Sequence, residues 1–147
     1  MARDPIIRLA AFLPYRLSVA SNAVSRRIAR AYEERFQLSI PEWRLVAILA
    51  EEGRATPLTI ARLAEMDKIS VSRSAKQLQA RGLIAASSNP EDGRSHFLEL
   101  TDAGRALYRS IAPVALQLES DLLAGFSPAE TAALAKLLEK LQAAAHG

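Results

Sequence analysis

Apolar residues recur at three- and four-residue spacing along most of the chain, which is the period of an amphipathic helix. The first such run begins beside Pro14, a residue suited to a first helical turn, and continues to Phe36. It predicts one long helix. A second helix is predicted to begin at Ser39, Pro41 and Glu42 and to stop at Gly53.

Two short helices are predicted next, close together in sequence. The first follows Thr59 and is expected to bury Ile60, Leu63 and Ala64. After a brief turn, Asp67 is a good N-cap for the second, which ends at Arg81 and Gly82 and has an inner face of Val71, Ala75 and Leu78. Two short helices joined by so tight a turn are typical of a helix-turn-helix.

A β-hairpin, or wing, is predicted after these helices. Residues 83–88 and 97–100 have the pattern of two strands, and the stretch between them, residues 89–94, is rich in turn-forming residues. Two helices follow the hairpin. Thr101 can cap the fifth helix, Pro113 is expected to bend it, and Ser127 with Glu130 forms a capping box for the sixth.

The predicted fold is mainly α with a small β-hairpin wing, in a single domain over residues 1–147. Residues 39–101 form a winged helix-turn-helix, and residues 1–38 and 102–147 form N- and C-terminal dimerisation helices. The apolar stripes of the first, fifth and sixth helices exceed what a small helix-turn-helix core can cover, so we expect a homodimer. Packing of these helices within one copy is the alternative.

Composition removes several classes of function. The 147 residues are 50% hydrophobic and 24% charged, which is typical of one globular domain. The chain has no cysteine, and its two histidines are far apart in sequence, so we expect no metal site and no cofactor. No catalytic grouping or glycine-rich phosphate loop is recognisable, so an enzyme is not expected. The N-terminal residues resemble neither a signal peptide nor a membrane span, which favours a cytoplasmic protein.

Charge is distributed unevenly along the chain, although the net charge is only +3. Residues 54–94 carry seven basic and four acidic side chains, whereas residues 95–147 carry four basic and six acidic ones. A basic centre indicates a surface for a polyanion, but an ordinary solvated surface explains the net charge equally well.

The fourth predicted helix is the candidate reading helix for duplex DNA. A rotation of about 100° per residue places Ile69, Ser72, Arg73 and Lys76 opposite the inner face. Hydroxyl, cationic and apolar groups together suit the base edges of a major groove, although a solvated helix face is an alternative. In the wing, Arg94 is placed to enter the adjacent minor groove, and Asp92 is expected to hold the hairpin or orient an arginine. The candidate DNA-binding residues are Lys68, Ser70, Ser72, Arg73, Lys76, Gln77, Arg94 and Ser95.

These segments resemble the multiple-antibiotic-resistance regulator (MarR) family. The resemblance rests on DKISVSR at residues 67–73, RGLI at 81–84, Asp92-x-Arg94 in the wing, and Leu100-Thr101-x-x-Gly104 after it. It implies a dimer in which Ser70, Ser72 and Arg73 read the major groove and Arg94 reads the minor groove. The family pattern often has arginine at the position of Gly93, so one phosphate contact is missing here.

Family members of this kind usually release DNA when a small molecule binds. Residues 15–44 are most similar to the subgroup that responds to aromatic carboxylates such as hydroxycinnamates. The candidate ligand-binding residues are Arg16, Ser18, Asn22 and Trp43, which offer a guanidinium, polar groups and a ring to a planar acid. The alternative is that Arg16 pairs at the dimer interface and that Trp43 is a core residue.

The sequence therefore predicts a regulator of transcription that binds pseudo-palindromic double-stranded DNA, and is a repressor relieved by a small aromatic acid. Two-fold pairing would set the reading helices about 34–36 Å apart, one turn of DNA. The alternative function is a winged-helix module that binds protein and not DNA. Such modules tend to lose positive charge on the reading face, whereas Lys68, Arg73, Lys76 and Arg94 are present here.

Overall fold

The computed structural model describes residues 3–147, and these residues form six α-helices and a three-stranded antiparallel sheet. The fold is therefore mainly α with a β-hairpin wing, as the sequence predicts. After a 3-10 turn at Leu9–Ala11, the elements are α1 Leu13–Phe36, α2 Ile40–Glu52, β1 Arg54–Ala55, α3 Pro57–Ala64, α4 Lys68–Ala80, β2 Ile84–Ser88, β3 His96–Leu100, α5 Asp102–Leu122 and α6 Pro128–His146.

The described chain forms two compact units, one that ends at Ile111 and one that begins at Ala112. The first contains α1 to α4, the sheet and the beginning of α5. The second contains the remainder of α5 and all of α6. The division lies inside α5, beside Pro113, where the sequence predicts a bend.

Side-chain caps begin several of the helices where the sequence predicts them. Ser39 Oγ accepts a hydrogen bond from the Glu42 N–H at 3.3 Å, and the Ser39 N–H donates to Glu42 Oε1 at 3.0 Å. Ser127 and Glu130 form the same capping box at the start of α6. Each box satisfies backbone donors that the first helical turn leaves unpaired, which confirms these two predicted helix starts.

The core of the first unit fixes which face of α4 is turned inward. Val71 and Leu78 of α4 are fully buried, and Ala75 is nearly so, as predicted. Helix α2, helix α3 and strand β3 contribute the other buried side chains of this core, among them Leu45, Leu49, Ile60 and Leu98. Burial of one leucine-sized side chain stabilises a fold by about 1.5–3 kcal/mol, so the orientation of α4 is strongly specified.

Helix α3 differs from the prediction at both its start and its buried face. It begins at Pro57, because Thr56 is the N-cap and its side chain accepts a hydrogen bond from the Thr59 N–H at 3.2 Å. Leu63 was expected to be buried but is 45% exposed, so that prediction is wrong. Ile60 and Ala64, one helical turn apart, provide the buried contacts of this short helix, and Leu63 lies beside that stripe.

The sheet has the order β1-β3-β2. Strands β2 and β3 form the predicted hairpin, with Ile84 opposite Leu100 and Ser88 opposite His96. Strand β1 is additional, since two residues are too short to give a hydrophobic pattern, and it pairs Arg54 with Glu99. The Arg54 guanidinium carbon lies 4.3 Å from the centre of the Phe97 ring, which is a cation–π contact between β1 and β3.

The start of α5 is tied to the segment between α4 and β2. Thr101 Oγ1 donates to the Gly82 carbonyl at 2.6 Å and accepts from the Gly104 N–H at 3.1 Å, which confirms the predicted cap. The Thr101 N–H donates to the Leu83 carbonyl at 3.1 Å. A Cβ at Gly104 would collide with that same carbonyl oxygen, so glycine is the residue that permits this close approach.

Large apolar side chains are exposed in both units. Near the N-terminus, Ile6 is 83% exposed and Leu13 is 76% exposed. In α6, the leucine stripe of residues 134, 137, 138 and 141 is between 38% and 61% exposed. No helix within residues 3–147 combines the length and apolar character needed to cross a membrane.

Candidate nucleic-acid interface

Helix α4 begins at a well-formed N-cap. Asp67 accepts hydrogen bonds from the Ser70 N–H at its Oδ1 and from the Ser70 hydroxyl at its Oδ2, both at 2.8 Å. The Ser70 backbone bond, followed by the Ser70 hydroxyl, holds the pKa of Asp67 below its usual value of 3.8. The carboxylate thus stabilises the first turn of α4 at neutral pH.

The outward face of α4 is a row of exposed side chains of the predicted kinds. Lys68, Ile69, Ser72, Arg73 and Lys76 are all exposed and line one shallow depression along the helix. Three of these side chains are cations within about two and a half turns of helix. The depression therefore combines positive charge, one hydroxyl and one apolar group.

The wing tip is held by hydrogen bonds within the turn. Asp92 Oδ1 accepts from the Arg94 N–H at 3.0 Å, and the Asp92 carbonyl accepts from the Ser95 N–H at 3.1 Å. Asn89 makes a similar bond, since its Oδ1 accepts from the Glu91 N–H at 3.0 Å. Asp92 thus holds the hairpin through the backbone of Arg94, and the Arg94 side chain is exposed.

Helix α4 and the wing together line a cleft of about 490 Å³. The structure brings six of the predicted residues into this one cleft, namely Lys68, Ser72, Lys76, Asp92, Arg94 and Ser95. The same cleft is also lined by Pro57, Leu58, Gln79 and His96, which the sequence reasoning did not select. Gln79 is exposed on α4, and the helical period could have placed it near Ser72. His96 is the first residue of β3, so its position at the start of the strand could have placed it beside the wing turn.

Two predicted reading residues lie at the margin of this face. The Ser70 hydroxyl donates its hydrogen to Asp67, so it can still accept a hydrogen bond from a further partner. Gln77 is exposed on α4, about 100° around the helix from Lys76. Arg73 lies beside Lys76 in the depression and not in the cleft shared with the wing.

The candidate ligand-binding residues are distributed over two helices of the first unit. Arg16 Nη1 donates to the Ala10 carbonyl at 2.9 Å, which ties the beginning of α1 to the preceding 3-10 turn. Ser18 and Asn22 are exposed on the following turns. Trp43 is half-buried between two rings, with centroid distances of 5.3 Å to Tyr32 and 6.1 Å to Tyr108. Burial raises the pKa of Tyr32 above its usual value of 10.0.

Within residues 3–147, no three histidine, aspartate or glutamate side chains come together as a group that could hold a metal ion. Asp102 serves local structure, since it forms an ion pair with Arg105 at 2.7 Å. The cleft between α4 and the wing is lined by three cationic side chains, one histidine and one carboxylate. An anionic partner therefore fits the cleft electrostatically.

Comparison with known proteins gives one consistent result. The family model described as "MarR family" matches residues 36–95, which include α2, α3, α4, β2 and the wing turn and end just before β3. The chain is 26% identical over 105 residues to the HTH-type transcriptional repressor NicR of Pseudomonas putida. That alignment covers 71% of this chain and 66% of NicR, just under two thirds of the relative's own length.

Solved structures extend the similarity beyond the matched segment. A MarR/EmrR family transcriptional regulator from Acinetobacter sp. ADP1 has a TM-score of 0.87 and 27% identity, and the match covers 95% of this chain and 99% of that one. BpsR of Bordetella bronchiseptica has a TM-score of 0.75 and 25% identity, with 86% and 98% of the two chains covered. NicR and the Acinetobacter protein are named as regulators of transcription, which agrees with the prediction that the chain is not an enzyme. Residues 36–95 thus match the MarR family model, and nearly the whole chain is similar in fold to a MarR/EmrR family transcriptional regulator.

Proposed function

We propose that this protein is a homodimeric, cytoplasmic repressor of transcription that binds a pseudo-palindromic DNA operator in a sequence-specific manner. The observation that carries the proposal is the single cleft lined by cations of α4 and by Arg94 of the wing. A helix and an adjacent hairpin tip can enter neighbouring grooves of one duplex, because the two grooves follow each other along the same face.

In the proposed complex, α4 lies in the major groove. This groove is about 12 Å wide and accepts an α-helix, and the core specifies that Ile69, Ser72, Arg73 and Lys76 face outward. Arg73 is assigned to a guanine edge, and Ile69, which is 71% exposed, to a thymine methyl group. Lys68 and Lys76 are assigned to phosphates, where a flexible ammonium group is sufficient.

The wing supplies the second contact of each half-site. The Asp92 turn fixes the backbone of Arg94 while the side chain extends to solvent. The minor groove concentrates negative potential where it is narrow, so one guanidinium there is stabilised electrostatically. Arg94 is therefore assigned to the minor groove next to the half-site that α4 reads.

A second copy of the chain is proposed to cover the exposed apolar stripes. Ile6 and Leu13 of the first unit, and the leucine stripe of α6 in the second, expose more apolar surface than a monomer needs. In a two-fold dimer, the apolar stripes of each copy are covered by the other copy. The dimer also presents two reading helices, so it matches a palindromic site.

The test is selection of bound duplexes from a random pool, followed by titration at several salt concentrations. We expect two inverted half-sites about one helical turn apart and a fall in affinity of roughly 10³–10⁵ between 50 and 200 mM salt if about 6–10 phosphates are contacted. Lys76→Ala is expected to reduce the salt slope, whereas Lys136→Ala on α6 serves as the control and leaves it unchanged. A flat salt response, or no enriched sequence, contradicts the proposal and favours the protein-binding alternative.

Release of the operator by a small aromatic acid is proposed as the regulatory step. In BpsR, DNA binding is regulated by 6-hydroxynicotinic acid. In this chain, Arg16, Ser18, Asn22 and Trp43 are the proposed ligand-binding residues, and the half-buried indole between Tyr32 and Tyr108 supports an aromatic environment. The acid must bind the free dimer more tightly than the DNA-bound dimer, since only a difference in affinity shifts the equilibrium.

A panel of aromatic acids, including 6-hydroxynicotinic acid and a hydroxycinnamate, tests this step. We expect at least one acid to weaken operator binding by about 5–150-fold, the usual range of allosteric coupling. Asn22→Ala is expected to abolish the response while leaving operator affinity in the absence of acid unchanged. Equal affinity of every acid for the free and DNA-bound protein contradicts the regulatory proposal and leaves DNA binding itself untouched.

A further inference from the structure

Arg81 joins the end of the reading helix to the end of α1. Its Nη1 donates to the Gln37 carbonyl at 2.9 Å, and its Nη2 donates to the Phe36 carbonyl at 3.1 Å. These partners lie 44 and 45 positions before Arg81 in sequence. One planar guanidinium therefore holds two carbonyls of a different helix, a geometry that its fixed fork of donors favours.

The two carbonyls belong to a helix end that needs such a partner. Phe36 is the last residue of α1, and Gln37 is its C-cap in the left-handed region, with φ 52° and ψ 40°. The last carbonyls of a helix have no partner within the helix and carry the negative end of its dipole. A cation that donates to both stabilises this end and fixes its position relative to the donor.

The backbone of Arg81 is in turn part of the end of α4. The Arg81 N–H donates to the Gln77 carbonyl at 3.2 Å, and Gly82 follows with φ 71° and donates its N–H to the Gln79 carbonyl at 2.9 Å. Arg81 thus lies between the last turn of α4 and the first residue of the hairpin. The contact with α1 therefore limits movement of the C-terminal end of α4 and of the base of the wing.

Arg81 is also turned away from the proposed DNA face. At 100° per residue, it lies about 130° around the axis of α4 from the centre of the outward face. Its two terminal nitrogens are already engaged with α1. A phosphate contact from this guanidinium would require both bonds to break.

We propose that Arg81 is a positioning residue for DNA reading, and that it sets the angle of α4 and the wing by anchoring them to the end of α1. The inference rests on the proposed DNA-binding function. Helix α4 is about 20 Å long, so a tilt of about 5° about its C-terminal end, where Arg81 lies, moves its N-terminal end by about 1.7 Å. Ile69, Ser72 and Arg73 lie toward that N-terminal end. Such a shift breaks the hydrogen bonds of direct base readout, which depend on close geometry, and spares non-specific contacts to phosphate.

The experiment compares the wild-type protein with Arg81→Ala and Arg81→Lys, and uses Arg35→Ala as the control, because Arg35 is an exposed cation in the last turn of α1. The readouts are affinity for the selected operator, affinity for unrelated duplex DNA, and the salt slope of each. We expect Arg81→Ala to lower operator affinity by about 3–10-fold, with unrelated-DNA affinity and both salt slopes unchanged. Arg81→Lys should be intermediate, and Arg35→Ala should match the wild type.

Two results would overturn the inference. A salt slope reduced by about one per protomer shows that Arg81 contacts a phosphate directly. An unchanged ratio of operator to unrelated-DNA affinity, with only the melting temperature lowered, shows that the contact is structural and nothing more. If the wild type binds no DNA, the proposed function fails instead, and hydrogen exchange still tests the anchor. Exchange at the Gln37 and Leu38 amides should then accelerate by about 3–10-fold in Arg81→Ala, and no acceleration means that no anchor exists.

Discussion

Replacement of Gly104 by alanine is expected to destabilise the protein through one atom. The new Cβ would collide with the Leu83 carbonyl oxygen and would also press on the Leu100 side chain at 3.2 Å. A backbone carbonyl cannot rotate away as a flexible side chain can, so the start of α5 must shift. That shift stretches two hydrogen bonds of Thr101, to the carbonyls of Leu83 and Gly82.

The magnitude follows from these contacts. Two neutral hydrogen bonds contribute about 1–3 kcal/mol together, and overpacking of this kind costs about 1–3 kcal/mol. The better helix propensity of alanine offsets at most about 1 kcal/mol, so we expect a net loss of about 3 kcal/mol. Urea unfolding monitored by circular dichroism measures it. Gly93→Ala is the control, because a Cβ at Gly93 meets nothing within 4 Å, and its stability should stay within about 0.5 kcal/mol of the wild type. A Gly104→Ala protein as stable as this control would refute the packing argument.

Three further substitutions test the reading helix and the dimer. Arg73→Ala should cost about 1–3 kcal/mol of operator binding and relax preference at one base position, whereas uniform weakening of all sequences in a binding-selection assay would make it a phosphate contact. The pKa of Asp67 in the folded protein is below its usual value of 3.8. The Asp67 carboxylate therefore adds stability at pH values above 3.8, and this stability is lost as the pH falls through the folded pKa. Asp67→Asn should therefore show a smaller fall in melting temperature between pH 5 and about pH 2, and an identical fall would contradict the capping role. Leu137→Lys should give monomers by sedimentation equilibrium at micromolar concentration, while Ala143→Lys, on the side of α6 opposite the leucine stripe, should stay dimeric; two dimers would contradict the proposed interface.

Much of the fold could be predicted because it depends on local chemistry. The caps at Ser39, Asp67 and Ser127 are short-range patterns, and the structure forms each of them. The inner face of α4 follows from helical period alone, so its outward face was predictable as well. Strand β1 was not predictable, because Arg54 and Ala55 are ordered only by pairing with β3, more than 40 residues away.

The candidate site shows the same division between local and long-range information. The exposure of Lys68, Arg73 and Arg94 follows from period and turn chemistry. The anchor formed by Arg81 joins segments about 45 residues apart, and the sequence analysis uses that arginine only as a helix end and as part of the RGLI motif. Trp43 is similar, since its position between two tyrosines of α1 and α5 depends on how three helices pack. Such contacts leave no periodic signal.

The central claim is that α4 and the wing of each protomer enter consecutive grooves of one duplex. The chain has no cysteine, so Glu91→Cys at the wing tip provides a unique attachment point for an iron chelate that cleaves DNA. On the selected operator, the account predicts cleavage confined to the minor groove flanking each of the two half-sites, with the same chelate at Lys136→Cys on α6 as the comparison. Cleavage spread evenly along the duplex, or confined to the major groove that α4 is proposed to occupy, would contradict it.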